Sequence, residues 1–487
     1  MDQITKQVYT EPGRNRIKLG TFSQLPEPSS KEAKQAPLKP TDKKRVDAVE
    51  ERVTKGEKAI EELQIKAQDE WVAVESLEER MTPVEKEAKR LNDLLKDPTS
   101  PALFGEALKE KWYERINIRG YTQFRISEVL SGNEEDFFIP ADRSVQDTSS
   151  FFIRRGRVIF SGDVADHVFL YVQPEFNAQP AEGSFAVQLR DLYGDISIDK
   201  KKEFRFRLGQ SKVPYGFVNL QSSQNRAPLE RPEALNSAVE TERDIGVFFY
   251  WAPDKIRQRF KDLVKNGLKG SGDYGVLGLG AYAGQGPNRE DLNGEVTLVA
   301  RLTYPFEFEN GQIFEPGIQA YSGRFEPRTS SIPVGPDGTD VTPTVTHDDG
   351  LQDERIAFSA VWYPQPVGFE AEWTFGRGPE LSEDMTEVDV GFLHGGYGML
   401  NVKLDSPYGN FFPFVRWQYF DGARKFATNA PRVQELNELD FGLEYSPFPE
   451  VEVAAVYSHT FDRTDTSSFP YEQFDGDRIG LQAQWNY

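Results

Sequence analysis

The strongest constraint on the fold is an alternation of apolar and polar residues that recurs from about residue 113 to the end of the chain. In the last segment, Ile479, Leu481, Ala483, Trp485 and Tyr487 occupy every second position, with polar residues or glycine between them. Such a strand has one apolar and one polar face. A soluble β-sandwich contains similar strands, but aromatic residues at the end of the strand are typical of a membrane barrel, where they meet the water boundary.

About sixteen segments of this kind follow one another. They cover residues 115–127, 151–162, 166–177, 184–198, 203–212, 243–252, 273–285, 294–308, 312–326, 353–364, 367–377, 385–404, 411–421, 435–446, 450–461 and 476–487. The connections alternate in length, with short turns such as 162–166 and long loops such as 128–150 and 213–242. This alternation is typical of outer-membrane proteins. We therefore predict an all-β fold in which residues 113–487 form a 16-stranded antiparallel transmembrane β-barrel.

One connection departs from this pattern. Residues 253–272 join two predicted strands on the side where the turns are otherwise short, which is the periplasmic side of such a barrel. They include a basic amphipathic stretch from Asp254 to Leu268. The stretch predicts a helix on the barrel surface, and its sequence indicates no function.

The residues that precede the barrel divide into two parts. Residues 1–41 are polar and rich in Pro, Lys, Gln and Ser, which predicts a disordered tail or linker. From Val46, apolar residues recur at heptad positions a and d, and only Gly56 and Glu70 interrupt them. We predict a periplasmic coiled coil over residues 42–96, with a short second helix beginning at Pro83. A single amphipathic helix packed on another domain is the alternative, and the heptads do not settle the number of strands.

Composition excludes several classes of protein. The chain contains no cysteine, which excludes disulfide frameworks, thiolate zinc sites and cysteine nucleophiles. Its formal net charge of −21 disfavours nucleic acid as a partner. No apolar run is long enough for a membrane-spanning helix, and no secretory signal opens the sequence, so an exported form is expected to be mature with an added Met1.

Four stretches together resemble one known family. They are residues 152–162, 206–216, 243–247 and 413–422. In their order and spacing they resemble the phosphate-selective porin O/P family, over roughly residues 113–487. The resemblance implies a homotrimeric outer-membrane barrel of sixteen strands whose external loops fold inward and narrow the pore. It does not imply phosphate as the solute, because the family is broader than its name and the 213–242 loop holds no lysine cluster.

The resemblance also implies a role for the end of the chain. In this family a terminal aromatic residue, usually phenylalanine, is read by the barrel-assembly machinery. Here Tyr487 ends the chain and Trp485 lies two positions earlier on the same apolar face. We expect these two residues to form the assembly signal, and we expect the last strand to pair with the strand that begins near Arg115.

The polar faces of the predicted strands carry many charged residues. The expected pore-lining set is Arg115, Arg119, Arg125, Arg155, Arg157, Arg190, Arg205, Arg207, Arg301, Arg416, Glu372 and Asp440. The early strands supply a cationic wall and the later strands an acidic wall, so the lumen would have a transverse field. Guanidinium groups offer forked donors to carboxylate or phosphate solutes, which favours anions slightly. The alternative is that many of these residues pair across strands and merely hydrate the interior.

Acidic runs and histidines add two further possibilities. Residues 134–136, 347–349 and 380–384 could hold Ca²⁺ between lipopolysaccharide phosphates, although such runs are more often solvated loop charge. No other cofactor is expected. The histidines, at positions 167, 347, 394 and 459, are dispersed, and a hydrolase would require one of them beside a lipid-facing serine.

The sequence therefore favours a passive porin of the Gram-negative outer membrane rather than an enzyme. Small polar or charged solutes would be its permeants, and outer-membrane lipid and lipopolysaccharide its surroundings. Through the coiled coil it would meet peptidoglycan or another periplasmic partner. The alternative is a barrel that serves mainly as an outer-membrane anchor for the coiled coil and conducts little.

Overall fold

The computed structural model describes Lys55 and residues 111–132, 151–179, 184–334, 339–347, 349–427, 430–464 and 472–487. All of these except Lys55 belong to one compact unit, Pro101–Tyr487. Apart from Lys55, the predicted tail (residues 1–41) and the predicted coiled coil (residues 42–96) lie outside the described residues. Within the described part of the chain, no helix has both the length and the apolar character needed to cross a membrane.

Sixteen long antiparallel strands form a closed sheet. They are β1 (Asn117–Ser131), β2 (Phe152–Ala165), β3 (Val168–Gln179), β4 (Ser184–Ser197), β5 (Phe204–Lys212), β6 (Arg243–Trp251), β7 (Leu277–Tyr282), β8 (Thr297–Thr303), β10 (Ile313–Phe325), β14 (Leu351–Trp362), β15 (Val367–Leu381), β16 (Glu387–Val402), β18 (Gly409–Ala423), β19 (Val433–Phe448), β20 (Val451–Thr464) and β21 (Glu472–Asn486). Each pairs with its neighbours in chain order, and β1 pairs with both β2 and β21. The predicted 16-stranded antiparallel barrel is therefore confirmed.

Five shorter strands complete the sheet structure. Three of them, β9 (Phe306–Glu307), β13 (Thr344–Val345) and β17 (Leu404–Ser406), join the barrel sheet at its edges. The other two, β11 (Ile332–Val334) and β12 (Thr339–Val341), form a small hairpin in the long connection before β14.

The connections between the strands give the barrel two different ends. One end has mostly short turns and is here called the turn end, and the other has long connections and is here called the loop end.

Burial follows the predicted alternation. In β8, Val299 and Arg301 are buried while Leu298 and Leu302 are more than half exposed on the outer surface. In β14 the buried residues again occupy every second position from Leu351. The interior is therefore built from the polar faces of the strands, and the apolar faces point outward.

The two ends of the barrel sequence meet, as predicted. Tyr121 lies opposite Asn486 in the sheet, and Gln123 lies opposite Gln484. The amide of the Gln123 side chain donates a hydrogen bond of 2.8 Å to that of Gln484 inside the barrel. The ring of Tyr487 covers Gly120 so closely that a Cβ there would lie 2.4 Å from a ring carbon. Glycine is therefore required at this closure.

Within the described residues of the barrel unit, three α-helices accompany the strands. Two have a single turn, α1 (Phe217–Leu220) and α2 (Glu233–Asn236), and the third is α3 (Asp254–Lys265) in the connection from β6 to β7. Short 3₁₀ turns occupy Trp112–Arg115 and Glu240–Glu242.

Helix α3 lies where the surface helix of the 253–272 connection was predicted, and its polar residues Lys255, Gln258 and Lys261 are exposed. Ile256, Phe260 and Leu263 are buried in a cluster with Phe217 and Tyr363. Here the apolar face of the helix covers the mouth of the barrel, since inward-facing residues there provide an apolar surface.

Candidate functional site

The connection between β5 and β6, residues 213–242, lies inside the barrel and is called the inner loop. The backbone amides of Phe217 and Val218 donate hydrogen bonds of 2.5 and 2.8 Å to the Glu372 carboxylate on β15. Farther along the loop, the amide of Glu233 donates one of 2.9 Å to the Gln418 side chain on β18. These contacts hold the loop against the far wall, as the family resemblance implies.

Lys212, the last residue of β5, binds the start of the inner loop inside the barrel. The ammonium group of Lys212 donates three hydrogen bonds, of 2.9, 3.1 and 2.6 Å, to the carbonyls of Asn219, Leu220 and Gln221. These carbonyls end helix α1, where backbone acceptors lack partners within the helix. Gly216, with φ of 81°, provides the left-handed turn before the helix.

Glu230 of the inner loop binds three guanidinium groups of the barrel wall. Its carboxylate accepts hydrogen bonds of 2.7 Å from Arg125, 2.8 Å from Arg154 and 3.2 Å from Arg155. Burial alone would raise the pKa of Glu230, but the charges of Arg154, Arg155 and Arg125 outweigh it and hold the pKa well below its usual value. Among the described residues, this one carboxylate therefore contacts three guanidinium groups.

A second carboxylate on the wall binds two more guanidinium groups. Glu175 on β3 pairs with Arg157 and Arg190. Arg157 also donates a hydrogen bond of 2.8 Å to the Tyr121 hydroxyl. On the inner loop, Arg231 lies 2.8 Å from the Glu242 carboxylate. The cationic groups of the wall and the loop thus face each other across a narrow space.

That space is a cavity of about 70 Å³. Six arginines and four glutamates contribute to its lining: Arg154, Arg155, Arg157, Arg190, Arg231, Arg424, Glu230, Glu233, Glu240 and Glu242. Among the described residues of this lining, the guanidinium groups outnumber the carboxylates even when Glu175 is added. The cavity between the inner loop and strands β2 to β4 is the candidate constriction of the channel.

Aromatic rings accompany the arginines nearby in the lumen. The guanidinium carbon of Arg207 lies 3.8 Å from the centre of the Tyr193 ring and 5.5 Å from that of Tyr274. Tyr171 stacks on Tyr193 with ring centres 5.1 Å apart. Arg207 also donates hydrogen bonds of 2.7 and 2.9 Å to the carboxylate of Asp195. Its position is therefore fixed by both stacking and charge.

The walls formed by the later strands, from β8 onward, are more evenly paired. Arg416 donates a hydrogen bond of 2.7 Å to Asp440. Arg301 donates one of 3.3 Å to Glu315. In this part of the lumen the alternative interpretation, pairing of charged residues across strands, describes the contacts better than a free acidic wall.

All but two of the predicted pore-lining residues are buried inside the barrel. The buried ones are Arg125, Arg155, Arg157, Arg190, Arg205, Arg207, Arg301, Arg416, Glu372 and Asp440. Arg115 lies in the 3₁₀ turn before β1 and is partly exposed, and Arg119 is exposed. Burial is compatible with the prediction, but whether these side chains line the permeation path stays a prediction.

Two kinds of site residue were missed by the sequence patterns. Arg154 is an extra residue at a register shift, because Gln123 and Phe124 on β1 face Arg155 and Ile153 on β2. This bulge breaks the alternation that identified the other arginines. The second kind lies in the inner loop, including Glu230, where no periodicity indicates which side chains meet the wall.

The other candidate sites do not form recognisable centres. Within the described ranges, no group of three or more histidine and acidic side chains could hold a metal ion. Residues 134–136 and Asp348, part of the predicted Ca²⁺ runs, lie outside the described residues. Asp384 accepts hydrogen bonds from Ser382 and Thr386, as in a capped turn.

The four histidines occupy four separate elements: the β2–β3 turn, the connection before β14, strand β16 and strand β20. His459 bonds Asp477 at 2.9 Å, and the Ser131 hydroxyl bonds the same carboxylate rather than the imidazole. Among the hydrogen bonds of the described residues, none joins a serine hydroxyl to a histidine ring. The arrangement that the hydrolase alternative requires is not formed by these residues.

Comparison with known proteins identifies the family of the chain. The family described as phosphate-selective porin O and P matches residues 130–487. The chain belongs to this porin family. As a member it is an outer-membrane channel, and the turn end of the barrel is the periplasmic end. The match begins near the end of β1, so the porin barrel extends slightly before the matched region.

Several solved outer-membrane proteins are similar to this porin. OmpF of Salmonella typhi, in complex with daunomycin, has 12% identity and a TM-score of 0.48, over 76% of this chain and 97% of that one. The outer membrane channel DcaP of Acinetobacter baumannii has 13% identity and a TM-score of 0.45, with the same coverage of 76% and 97%. An anion-selective porin from Comamonas acidovorans has 10% identity and a TM-score of 0.41, over 76% and 99%. No curated protein matches the sequence.

Proposed function

We propose that this porin is a passive diffusion channel for small polar or charged solutes, with a slight preference for anions. The observation that carries the proposal is the excess of guanidinium groups at the constriction. Among the described residues that line it, six are arginines and four are glutamates, and the arginines remain in excess when Glu175, the partner of Arg157 and Arg190, is added. Ions in such a narrow space interact with fixed charge far more strongly than in bulk water.

The negative charge of the protein acts in the opposite direction, but from farther away. The formal net charge of −21 would accumulate cations at the mouths of the channel. Exposed charges are screened over about 8 Å at physiological ionic strength, whereas groups in the constriction are within contact distance of a permeating ion. We therefore expect the local arginine excess to decide the preference.

Reversal potentials in a salt gradient test this proposal. Arg154→Gln combined with Arg155→Gln should shift the reversal potential of the channel in a planar bilayer toward cation preference. Arg377→Gln is the matched control, because Arg377 is exposed on the outer face of β15. An unchanged reversal potential in the double variant would refute the role of the arginine excess.

We also propose that the porin forms a homotrimer and that residues 42–96 form a periplasmic coiled coil which holds the trimer together or reaches the cell wall. The support is the heptad pattern from Val46 to Leu95. Deletion of residues 1–96 should change the oligomer size or the attachment to the envelope. If neither changes, both roles are wrong. A wild-type protein without channel steps in a bilayer would favour the anchor alternative instead.

A further inference from the structure

We infer that the periplasmic connection between β6 and β7 forms a second constriction, which limits solute size while the inner loop selects charge. This inference rests on the proposed channel function. The part concerned is residues 266–276, called the cross-lumen segment. It follows helix α3 and leads into β7, at the end of the barrel where the other turns are short.

The cross-lumen segment reaches from one wall of the barrel to the opposite wall. On the near side, Asp273 accepts a hydrogen bond of 2.7 Å from Arg205 on β5, and the carbonyl of Gly275 accepts one of 3.0 Å from Arg301 on β8. On the far side, the ammonium group of Lys269 donates hydrogen bonds of 2.6 and 2.7 Å to both carboxylate oxygens of Glu444 on β19.

The order of the strands shows that these walls are opposite. Between β7 and β19 lie β8, β10, β14, β15, β16 and β18, and between β6 and β19 lie β1 to β5 with β20 and β21. The connection therefore starts about half a circumference away from Glu444. A segment that bonds both walls must cross the lumen, so it reduces the cross-section open to solutes.

The cross-lumen segment also supports the inner loop. The side chain of Gln221 donates a hydrogen bond of 2.7 Å to the carbonyl of Lys269, and that of Asn225 donates one of 3.1 Å to the carbonyl of Gly270. Phe217 packs in the same buried cluster as helix α3. The two segments are thus in contact, with the inner loop on the external side and the cross-lumen segment on the periplasmic side.

The backbone of the segment is held in a conformation that a lysine rarely adopts. Lys269 has a φ of 62°, in the left-handed region, and Gly267, Gly272 and Gly275 have φ of 66°, 94° and 75°. A lysine in this region costs free energy and persists only where the surroundings fix it. The bonds to Glu444 and the ring of Phe412, 5.0 Å from the ammonium group, supply that fixation.

The charged side chains of the cross-lumen segment are neutralised by neighbouring residues. The effect of the segment on permeation therefore differs from that of the arginines at the inner loop, which act through their charge. Lys269 pairs with Glu444, and Asp273 pairs with both Arg205 and Arg257. The segment therefore adds little net field to the lumen. Its expected effect is steric: it should restrict large solutes of any charge and leave the ratio of anion to cation permeability unchanged.

Two single variants and a charge-exchanged double variant test the role of the ion pair between Lys269 and Glu444. Lys269→Gly removes the ammonium group and suits the left-handed backbone, and Glu444→Gln removes the charge of its partner. Each should raise the single-channel conductance and admit larger neutral sugars in liposome-swelling assays, which report size alone because the sugars carry no charge. The charge-exchanged pair, Lys269→Glu with Glu444→Lys, should restore the wild-type size limit. A size limit unchanged in both single variants would overturn the inference.

A labelling experiment keeps the inference testable if these variants fail to fold. The chain has no cysteine, so Tyr274→Cys provides a single reactive thiol in the segment at a partly exposed position. A bulky maleimide bound there should reduce conductance, whereas one bound to Glu309→Cys, in an exposed turn, should not. Labelling of Tyr274→Cys without loss of conductance would count against the second constriction. A wild-type protein that does not conduct would instead refute the proposed function itself.

Discussion

Gly120 and Tyr487 exchange two backbone hydrogen bonds, of 2.6 and 3.0 Å, and these join the last residue of the chain to the first strand of the barrel. The side chain of Tyr487 lies over the glycine, 2.4 Å from the position that a Cβ would take. The Tyr487 ring and Gly120, which has no side chain, therefore fit together where the last strand pairs with the first and closes the barrel.

Substitution of this glycine should weaken the closure. Gly120→Val forces the Tyr487 ring or the β1 backbone to move, and overpacking of this kind typically costs about 1–3 kcal/mol. The folded barrel should lose its resistance to detergent at a lower temperature, measured by its mobility in gels of heated and unheated samples. Gly398→Ala is the control, because the nearest atom to a Cβ there is 4.0 Å away. Equal thermal resistance in the two variants would contradict the prediction.

The chemical character of the last side chain should matter for assembly. Tyr487 is 56% exposed on the outer surface, where an aromatic ring at the periplasmic boundary can be read by other proteins. Tyr487→Asp should lower the amount of folded protein in the outer membrane, whereas Tyr487→Phe should assemble normally. Membrane fractionation and immunoblotting measure both. Normal assembly of the aspartate variant would disprove the proposed signal.

Glu230 should be essential for the position of the inner loop. Glu230→Gln leaves Arg125, Arg154 and Arg155 without their common carboxylate, and the loss of one partner of a buried ion pair typically costs about 3–5 kcal/mol. We expect a lower thermal resistance of the barrel and a reversal potential shifted toward anions. Glu309→Gln, in an exposed turn, is the control. A stable variant with wild-type selectivity would show that the loop is held by its other contacts.

The same carboxylate gives a prediction for acidic pH. Because the arginines hold the pKa of Glu230 well below its usual value, its contribution to stability is complete above the unfolded pKa, about 4.3, and is lost only as pH falls through the lower folded pKa. The difference in selectivity between wild type and Glu230→Gln should therefore persist at pH 4.3 and disappear only at more acidic pH. Reversal potentials measured over this range provide the test. Loss of the difference already between pH 6 and 5 would contradict the assigned pKa shift.

The barrel could be predicted from the sequence because its signals are local. Alternation such as that from Ile479 to Tyr487 fixes which side chains share a face, and the lengths of the connections fix which ends carry turns. The same reasoning placed Arg155, Arg157, Arg205 and Arg207 on the inward face, where they are buried. Strand β7 was predicted too long, over residues 273–285, because the cross-lumen segment leaves the wall before it.

The contents of the lumen were decided by the tertiary structure alone. Arg154 reaches Glu230 because a bulge interrupts the alternation, and Lys269 reaches Glu444 although 175 positions separate them in sequence. Loops such as 213–242 have no period, so their contacts depend on which wall faces them after the barrel closes. The sequence by itself thus determined the wall of the channel, since a strand carries its own two-residue pattern. Only the folded chain determined what narrows it, because those contacts join residues that are brought together by closure of the sheet.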